Sequence, residues 1–289
     1  MKILIIGVSG MLGSTMFCDL SNSHDVIGTA RNGSCKRFFP GHLADKIITD
    51  VDVLDPVQLE RILKRVQPEV VINCIGVIKQ VTGADDPLIA LPTNSMFPHR
   101  LARASRLLGT RVIHISTDCV FSGKKGQYLE TDLFDANDLY GVSKFLGELK
   151  DYDNCVTVRT SIIGHGLVEN KSLIDWFLGQ TGTVQGYTRA IYSGLPTIEL
   201  VRILKEFILP CAFLSGVYHV SSKPINKFNL LKLVKKEYGL SVEIEPDDQV
   251  FIDRSLDFSR FTNETGYEPK EWPILIKEMN EGWIKKQHV

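Results

Sequence analysis

Short, almost wholly apolar runs alternate with segments of helical periodicity over the first 160 residues of the chain. The apolar runs lack in–out alternation, which indicates strands covered on both faces. The predicted strands are Ile3–Ile6, Asp25–Ala30, Lys46–Thr49, Glu69–Asn73, Arg111–Ser116 and Cys155–Arg159, and the predicted helices are Met11–Leu20, Pro56–Val66, Thr93–Leu108 and Leu139–Leu149. Because this alternation requires right-handed crossovers, the sequence predicts an α/β fold of the Rossmann type with a doubly wound parallel sheet.

After about residue 160 this rhythm weakens, and Gly216–Ser221 is the one further strand that the pattern indicates clearly. The last part of the chain carries more charge and mixes helix and strand signals. We therefore expect a Rossmann domain formed by residues 1–160 together with roughly 190–222. A smaller C-terminal substrate-binding lobe is expected from roughly 161–189 and 223–289.

Composition narrows the classes of protein to which this chain can belong. Its 289 residues hold 33 Lys and Arg against 34 Asp and Glu, a net charge of −1, which disfavours a nucleic-acid-binding protein. No apolar run approaches the ~18 residues that span a bilayer, so we expect no membrane partner. Six scattered cysteines indicate reduced thiols in a cytoplasmic protein, and seven histidines without ligand spacing indicate no metal site.

A glycine-rich loop follows the first predicted strand directly. It has the pattern Gly-x-x-Gly-x-x-Gly, opens a helix, and comprises Gly7, Gly10, Met11, Leu12 and Gly13 among its residues. Glycines at such a turn let backbone N–H groups approach a pyrophosphate at the positive end of the helix. The motif therefore predicts that this domain binds a dinucleotide, NAD(P).

The end of the second predicted strand indicates which dinucleotide is bound. An acidic residue there binds the free ribose hydroxyl of NADH, whereas an arginine accommodates the 2′-phosphate of NADPH. The chain has Arg31 at this point and no acid. We therefore favour NADPH as the cofactor and keep NADH as the alternative.

A Tyr-x-x-x-Lys pair, Tyr140 and Lys144, falls on a predicted helix, so that both side chains share one face. It follows a strand that leads into Thr117. A hydroxyl can bond a substrate carbonyl, a phenol can exchange the proton, and an ammonium can hold the ribose of the cofactor. We expect these three residues to be catalytic, and we expect the cation of Lys144 to lower the pKa of Tyr140.

These motifs resemble the extended short-chain dehydrogenases/reductases and, among them, the dTDP-4-dehydrorhamnose reductase family. Ile115–Gly123 resembles its Ser-Thr-Asp-Tyr-Val-Phe-x-Gly, Tyr128–Asp132 its Tyr-x-Glu-Thr-Asp, and Tyr140–Glu148 its Tyr-Gly-x-x-Lys-x-x-Gly-Glu. The resemblance runs along nearly the whole chain. Further segments that fit are Thr93-Asn94, Val158–Ser161, Ser255–Asp257, Thr265–Tyr267 and Trp272.

The resemblance implies an NAD(P)-dependent oxidoreductase that reduces the 4-keto group of a nucleotide-linked deoxysugar, for the synthesis of cell-surface polysaccharide precursors. It implies further residues at the cofactor, beside the glycine loop, Arg31, Tyr140 and Lys144. These are Asp52, which would bond the adenine amino group, Val53, Cys74, Ile75, Gly76, Asn94 and Ser116. It also implies residues at the substrate, namely Lys79, Asp118, Cys119, Arg189 and Arg254. Arginine suits a diphosphate because it can bind two oxygens at once.

Other chemistries of this fold fit the same segment less well. Sugar-nucleotide dehydratases place Glu where this chain has Cys119, and a buried thiol is a poor substitute for a carboxyl group. Galactose-type epimerases usually end the segment in Val-Tyr-Gly, whereas this chain has Val120-Phe121-Ser122. An epimerase that uses bound NAD and a non-catalytic regulatory subunit stay open as alternatives, as does a homodimer. Departures at Cys119 and Ile162 leave the sugar and the nucleotide open.

Overall fold

A computed structural model describes residues 1–79, 83–167 and 172–287 of the chain. Its strands are β1 (Lys2–Ile6), β2 (Asp25–Thr29), β3 (Ile47–Ile48), β4 (Val70–Asn73), β5 (Arg111–Thr117), β6 (Cys155–Thr160), β7 (Ile162–Ile163), β8 (Thr183–Tyr187), β9 (Ala190–Tyr192), β10 (Leu195–Pro196), β11 (Gly216–His219), β12 (Ile225–Asn226), β13 (Glu243–Asp247) and β14 (Ile252–Asp253). Its α-helices are α1 (Met11–Leu20), α2 (Gly41–Ala44), α3 (Pro56–Val66), α4 (Pro87–Ala90), α5 (Phe97–Arg106), α6 (Leu139–Leu146), α7 (Leu173–Leu178), α8 (Thr197–Ile203), α9 (Lys227–Tyr238), α10 (Ser259–Thr265) and α11 (Trp272–Gln287). Two 3-10 segments (Gly33–Phe38 and Asp118–Val120) and two π-helical segments (Leu91–Met96 and Leu204–Ile208) complete the elements.

A seven-stranded sheet has the order β11-β6-β5-β4-β1-β2-β3. The pairs β1–β2, β2–β3, β1–β4 and β4–β5 are parallel. The chain builds outward from β1 to β3 and then returns to the other side of β1 to add β4, β5 and β6. Ligands of doubly wound folds bind where the strand order reverses in this way, here between β1 and β4. The predicted Rossmann-type α/β fold is confirmed.

Burial explains why these segments form a sheet with helices packed on it. Strand β1 is buried along Ile3–Ile6, and all four residues of β4 are buried. Helix α3 begins where the Asp55 side chain accepts a hydrogen bond of 2.8 Å from the N–H of Val57, with Pro56 in the first turn. Its buried face packs into the core through Leu59, Ile62, Leu63 and Val66.

The helix predicted over Thr93–Leu108 begins earlier than expected. Helix α4 starts at Pro87, where the Asp86 side chain accepts a hydrogen bond from the N–H of Leu88, and it runs through the π-helical segment into α5. Asp followed by Pro is a helix-start signal that periodicity alone does not detect. The π-helical segment carries Asn94 and includes Pro92, which has no N–H to donate to a regular α-helical turn.

The chain forms two compact units. The first comprises Met1–Val120, Ala136–Arg159 and Cys211–Tyr218, and the second comprises Phe121–Asp135, Thr160–Pro210 and His219–Val289. Two segments expected in the Rossmann domain, residues 121–135 and 190–210, belong to the second unit. Each unit has its own core, which is why the chain divides at these points.

The second unit contains short strands that the sequence pattern does not indicate. Strands β8 and β13 pair in parallel, β9 lies between β12 and β14, and β7 pairs with β10. These strands are two to five residues long and mostly half exposed, so they carry no clear apolar run. Phe177, Leu230 and Leu275 are fully buried in the core that joins α7, α9 and α11. Within the described ranges, no helix combines the length and the apolar character needed to span a bilayer.

Candidate active site

The turn after β1 is built from the three glycines of the motif, each with a different environment. Gly7 has φ +96°, which favours glycine, and its amide donates to the carbonyl of Thr29. A Cβ atom on Gly13 would overlap the carbonyl oxygen of Gly7, so Gly13 lets α1 pack closely against the turn. A Cβ atom on Gly10 would lie 3.6 Å from the same oxygen, an ordinary contact. The protein itself therefore leaves space at Gly10.

A cleft of about 330 Å³ opens at this turn. It is lined by Gly7, Ser9, Gly10, Thr29, Ala30, Arg31, Asn32, Val51, Asp52, Val53, Leu54, Cys74, Ile75, Gly76 and Thr93. The N-terminus of α1 has no side-chain cap and no acidic residue in its first turn. An uncapped helix terminus beside a glycine with free space suits an anion such as a pyrophosphate. The residues present thus fit a dinucleotide.

Eight of the residues predicted at the cofactor line this cleft: Gly7, Gly10, Arg31, Asp52, Val53, Cys74, Ile75 and Gly76. Seven others do not line it: Met11, Leu12, Gly13, Asn94, Ser116, Tyr140 and Lys144. Ser9 and Asn32 line the cleft and were not predicted, although each is a chain neighbour of a predicted residue. The Asn32 side chain accepts from the N–H of Ser34 at 3.1 Å and so fixes the chain after Arg31.

Asn94 joins the loop after β4 to helix α6. Its amide nitrogen donates to the carbonyl of Val77 and to the hydroxyl of Ser143, both at 3.0 Å, and its amide oxygen accepts from the N–H of Val77 at 2.8 Å. A Cβ atom on Gly76 would lie 3.5 Å from this oxygen and 3.9 Å from Nζ of Lys144. Asn94 therefore fixes the position of the loop after β4 against α6, the helix that carries Tyr140 and Lys144.

Lys144 is almost completely buried, at 4% exposure. Its Nζ donates to the carbonyl of Ile115 at 2.7 Å. Burial lowers the pKa of Lys144 to about 8, and the Glu148 carboxylate acts against this change. The lysine is therefore held by the backbone of β5. Its partner, Ile115, lies two residues before the predicted catalytic Thr117 at the end of that strand.

The pKa of Tyr140 is raised above its ordinary value, and the expected lowering by Lys144 is not found. Burial is the main cause, and Cys119 and the carboxylates of Asp118 and Asp138 act in the same direction. A side-chain hydrogen bond with Thr117 acts against the rise. The prediction was wrong because the Tyr-x-x-x-Lys spacing puts two residues on one helix face without showing how deeply that face is buried.

Thr117 is fixed at the end of β5 by its neighbours in sequence. Its hydroxyl donates to Oδ1 of Asp118 at 3.2 Å and accepts from the N–H of Cys119 at 3.1 Å. A Cβ atom on Gly141 would overlap the carbonyl oxygen of Cys119, so α6 approaches this turn as closely as its backbone allows. The close approach places Tyr140 beside Thr117.

A buried ion pair supports the same region and was not predicted. The Glu148 carboxylate accepts from Arg159 Nε at 2.7 Å and from Arg159 Nη2 at 2.6 Å, and Ser116 donates to it at 2.8 Å. Glu148 and Arg159 are each 4% exposed. Ser116 is thus turned toward Glu148, next to Thr117 in the strand. Glu148 is the last residue of the Tyr140–Glu148 motif. That motif was the sequence signal from which the role of Glu148 could have been predicted.

The residues predicted at the substrate fall in both units. Asp118, Cys119 and Lys79 belong to the first unit, and Nζ of Lys79 lies 5.7 Å from the centroid of the Tyr140 ring. Arg189 and Arg254 belong to the second unit. The Arg189 guanidinium lies over the ring of Phe251, 4.8 Å from its centroid, and Nε of Arg254 donates to the carbonyl of Phe121 at 2.8 Å.

Comparison with known proteins gives a family match over most of the chain and relatives with more than one name. The family described as RmlD substrate binding domain matches residues 1–254. A dTDP-4-dehydrorhamnose reductase of Burkholderia thailandensis is 28% identical over 241 residues, which cover 77% of this chain and 73% of that protein. The methionine adenosyltransferase 2 subunit beta of Bos taurus is 26% identical over 154 residues, which cover 53% of this chain and 43% of that protein.

Among solved structures, the dTDP-4-dehydrorhamnose reductase of Bacillus anthracis in complex with NADP superimposes with a TM-score of 0.80. The identity is 20%, and the superposition covers 97% of this chain and 99% of that one. At this identity the likeness shows the fold. The family match includes the glycine turn and the Tyr140–Lys144 pair, which confirms the resemblance stated from the sequence. The chain belongs to the family of the RmlD substrate binding domain.

Proposed function

We propose that this protein is an NAD(P)-dependent oxidoreductase of the extended short-chain type, which reduces the 4-keto group of a nucleotide-linked deoxysugar. The observation that carries the proposal is that Thr117, Tyr140 and Lys144 meet in the unit that also holds the glycine turn and its cleft. The Burkholderia thailandensis relative is named for reduction of dTDP-4-dehydrorhamnose. The product would serve the synthesis of cell-surface polysaccharide precursors.

The three residues divide the work of the reaction. Tyr140 donates its proton to the keto oxygen as general acid, and the hydroxyl of Thr117 hydrogen-bonds to the same oxygen. The Lys144 ammonium, already oriented by the carbonyl of Ile115, holds the ribose of the cofactor. When bound, the reduced nicotinamide supplies the hydride that reaches the keto carbon.

The cofactor is assigned to the residues of the cleft and of α6. NADPH is favoured over NADH because Arg31 lies at the cleft, at the end of β2 where the adenosine ribose of such folds binds. The Bacillus anthracis reductase is described in complex with NADP. The glycine turn, with Met11 and Leu12 at the start of α1, holds the pyrophosphate, and Asp52 and Val53 hold the adenine.

Substrate contacts are proposed for residues of each unit, taken by itself. Asp118 and Cys119 lie near Tyr140 and contact the sugar, as does Lys79, whose Nζ lies 5.7 Å from the centroid of the Tyr140 ring. Arg189 is exposed, and its guanidinium and that of Arg254 bind the diphosphate of the nucleotide. The cytoplasm is the proposed location, supported by six cysteines that are all free thiols, and a homodimer stays an open expectation.

The two alternatives differ from this proposal in what they require of the site. A regulatory subunit needs neither a catalytic phenol nor a buried lysine; the Bos taurus relative is by name a subunit of another enzyme. This chain has both Tyr140 and Lys144, and burying a lysine ammonium costs free energy. An epimerase would retain oxidised cofactor through purification and would leave the amount of cofactor unchanged.

The test is a screen of nucleotide-4-ketosugars, with dTDP-4-dehydrorhamnose first, against NADPH and NADH. Loss of reduced-nicotinamide absorbance measures turnover, and Tyr140→Phe serves as the impaired variant. We expect at least one ketosugar to be reduced, faster with NADPH than with NADH. Binding of NADPH without consumption of any ketosugar in the panel would overturn the proposal.

A further inference from the structure

An ion pair stands directly beside the Tyr140 ring. Nζ of Lys79 lies 2.8 Å from Oδ2 of Asp138 and 5.7 Å from the centroid of the Tyr140 ring. Asp138 is also the N-cap of α6, because its other oxygen accepts from the N–H of Gly141 at 2.9 Å. The carboxylate thus ties the lysine to the start of the helix on which Tyr140 is carried.

The charges around Tyr140 explain why a cation is needed there. Proton donation to a keto oxygen leaves a phenolate, and the carboxylates of Asp118 and Asp138 near Tyr140 disfavour that charge. The charged and titratable groups that face Tyr140 are Asp118 and Cys119 from the turn after β5, Asp138 and Lys144 from α6, and Lys79 from the loop after β4. Lys144 donates a hydrogen bond to the carbonyl of Ile115, and it is not among the groups that lower the pKa of Tyr140.

Lys79 is placed to supply that positive charge. Its side chain is 42% exposed, so the ammonium keeps contact with water, whereas Lys144 is buried. A cation over an aromatic face is attracted by the ring and stabilises negative charge that develops on it. The contact with Asp138 keeps the flexible lysine chain at this place, and it also neutralises a carboxylate that disfavours the phenolate.

We propose that Lys79 is a positioning residue for proton transfer, with its ammonium, held by Asp138, offsetting the negative charge beside Tyr140. The inference rests on the proposed function. In the reduction, the keto carbon gains a hydride from the reduced nicotinamide cofactor and the keto oxygen gains the phenolic proton of Tyr140. The phenolate that remains then takes a proton from solvent, and Lys79 stabilises it in the interval.

The experiment compares Lys79→Met, which keeps a long flexible side chain without charge, with Lys79→Arg, which keeps the charge. The matched control is Lys125→Met, since Nζ of Lys125 lies 5.6 Å from the Tyr128 ring and pairs with Asp132 in the same way, in the second unit. Turnover is measured as a function of pH at saturating NADPH and ketosugar, with kcat and KM determined separately.

For Lys79→Met we expect kcat near neutral pH to fall by up to about tenfold, the factor that corresponds to a change of one unit in the pKa of the proton donor, with little change in KM. The first alkaline limb, near pH 8, belongs to Lys144. The limb at higher pH that belongs to Tyr140 should move upward by about one pH unit, because loss of a cation favours the neutral phenol. Lys79→Arg should keep both values near wild type, and Lys125→Met should change neither. A wild-type kcat and an unmoved limb in Lys79→Met would overturn the inference.

Two further measurements separate this inference from the proposed function. If Tyr140→Phe is impaired and Lys79→Met is not, the proposed reaction stands and the role of Lys79 does not. If no ketosugar is reduced, the alkaline ultraviolet difference spectrum against Tyr140→Phe still reports the phenolate of Tyr140. Less phenolate in Lys79→Met than in wild type at the same alkaline pH supports the inference, and equal amounts refute it.

Discussion

At the scale of single residues, Tyr140 and Lys144 share one helix face and are each driven toward the neutral form. Burial raises the pKa of the phenol and lowers that of the ammonium to about 8. A neutral phenol is what a general acid needs before it donates, so the raised pKa suits reduction more than oxidation. The residue types and their spacing were predictable from the sequence. The direction of the Tyr140 shift was not, because it depends on burial and on residues distant in sequence.

Tyr140→Phe tests the proton donor directly. The change keeps the ring and its packing and removes the phenolic proton, so turnover should fall by about 10²–10⁴-fold. Affinity for NADPH should change little, because the glycine turn and Lys144 are untouched. Tyr152→Phe, which removes a phenol that hydrogen-bonds to His99, is the control and should turn over normally. Wild-type turnover in Tyr140→Phe would contradict the mechanism.

Arg31→Asp tests the choice of cofactor. Arg31 lines the cleft after β2, and an aspartate there would repel the 2′-phosphate and suit the free ribose hydroxyl. NADPH affinity should fall about 10- to 150-fold, the equivalent of about 1.5–3 kcal/mol for one charge-assisted contact, while NADH affinity falls less. Arg61→Asp makes the same change of net charge on the exposed part of α3 and should leave the preference as it is. An unaltered NADPH/NADH ratio in Arg31→Asp would remove this role.

At the scale of elements, the best-predicted parts are those whose signals are local. Helix α1 and helix α3 have the bounds that the sequence predicts, since each starts at a recognisable turn or cap. The helix that carries Asn94 was placed six residues late because its start depends on the Asp86–Pro87 pair rather than on periodicity. Its π-helical turn, which brings Asn94 to Val77 and Ser143, follows from tertiary contacts that no local pattern records.

Gly10→Ala and Gly13→Ala form a matched test of the turn at the start of α1. At Gly13 the added methyl group overlaps the carbonyl of Gly7, so unfolding should become easier by about 1–3 kcal/mol. At Gly10 the methyl group meets only an ordinary contact at 3.6 Å and enters the cleft, so stability should hold while NADPH affinity falls. Chemical denaturation and a fluorescence titration with NADPH measure the two effects. Equal loss of stability in both variants would contradict the separate roles of the glycines.

At the scale of the whole molecule, the two units differ in how far the sequence describes them. The first unit follows from strand and helix patterns because its strands are buried on both faces and read as apolar runs. The second unit depends on short, half-exposed strands and on segments far apart in the chain, such as β8 with β13. Residues 121–135 belong to the second unit because of contacts such as the hydrogen bond of Arg254 to the carbonyl of Phe121. Sequence spacing does not predict such contacts.

Burying the Lys144 ammonium lowers the free energy of unfolding, although the ammonium is needed to bind the ribose. The variant Lys144→Met should remove this loss of stability. The pKa of Lys144 is lowered from 10.5 to about 8, so the folded chain holds this proton less tightly than the unfolded chain. Below about pH 8 Lys144 is protonated in both states, and the folded state bears the full desolvation cost of the ammonium. Between about pH 8 and 10.5 the folded state has lost this proton and the unfolded state has not. The free energy of unfolding therefore rises with pH over this range. Met fills similar space without charge, and at pH 7 the variant should be more stable by about 3 kcal/mol, an upper value from the pKa change.

That gain should shrink as the pH approaches 10.5, and reductase turnover should be lost at every pH because the ribose has no ammonium to bind. Urea denaturation at pH 7 and at pH 10 measures the first effect, and NADPH-dependent reduction of the ketosugar measures the second. Lys150→Met, on an exposed lysine beyond the same helix, should change neither stability nor its pH dependence. A Lys144→Met variant less stable than wild type at pH 7 would mean that the hydrogen bond to Ile115 and the attraction of Glu148 outweigh the desolvation of the ammonium.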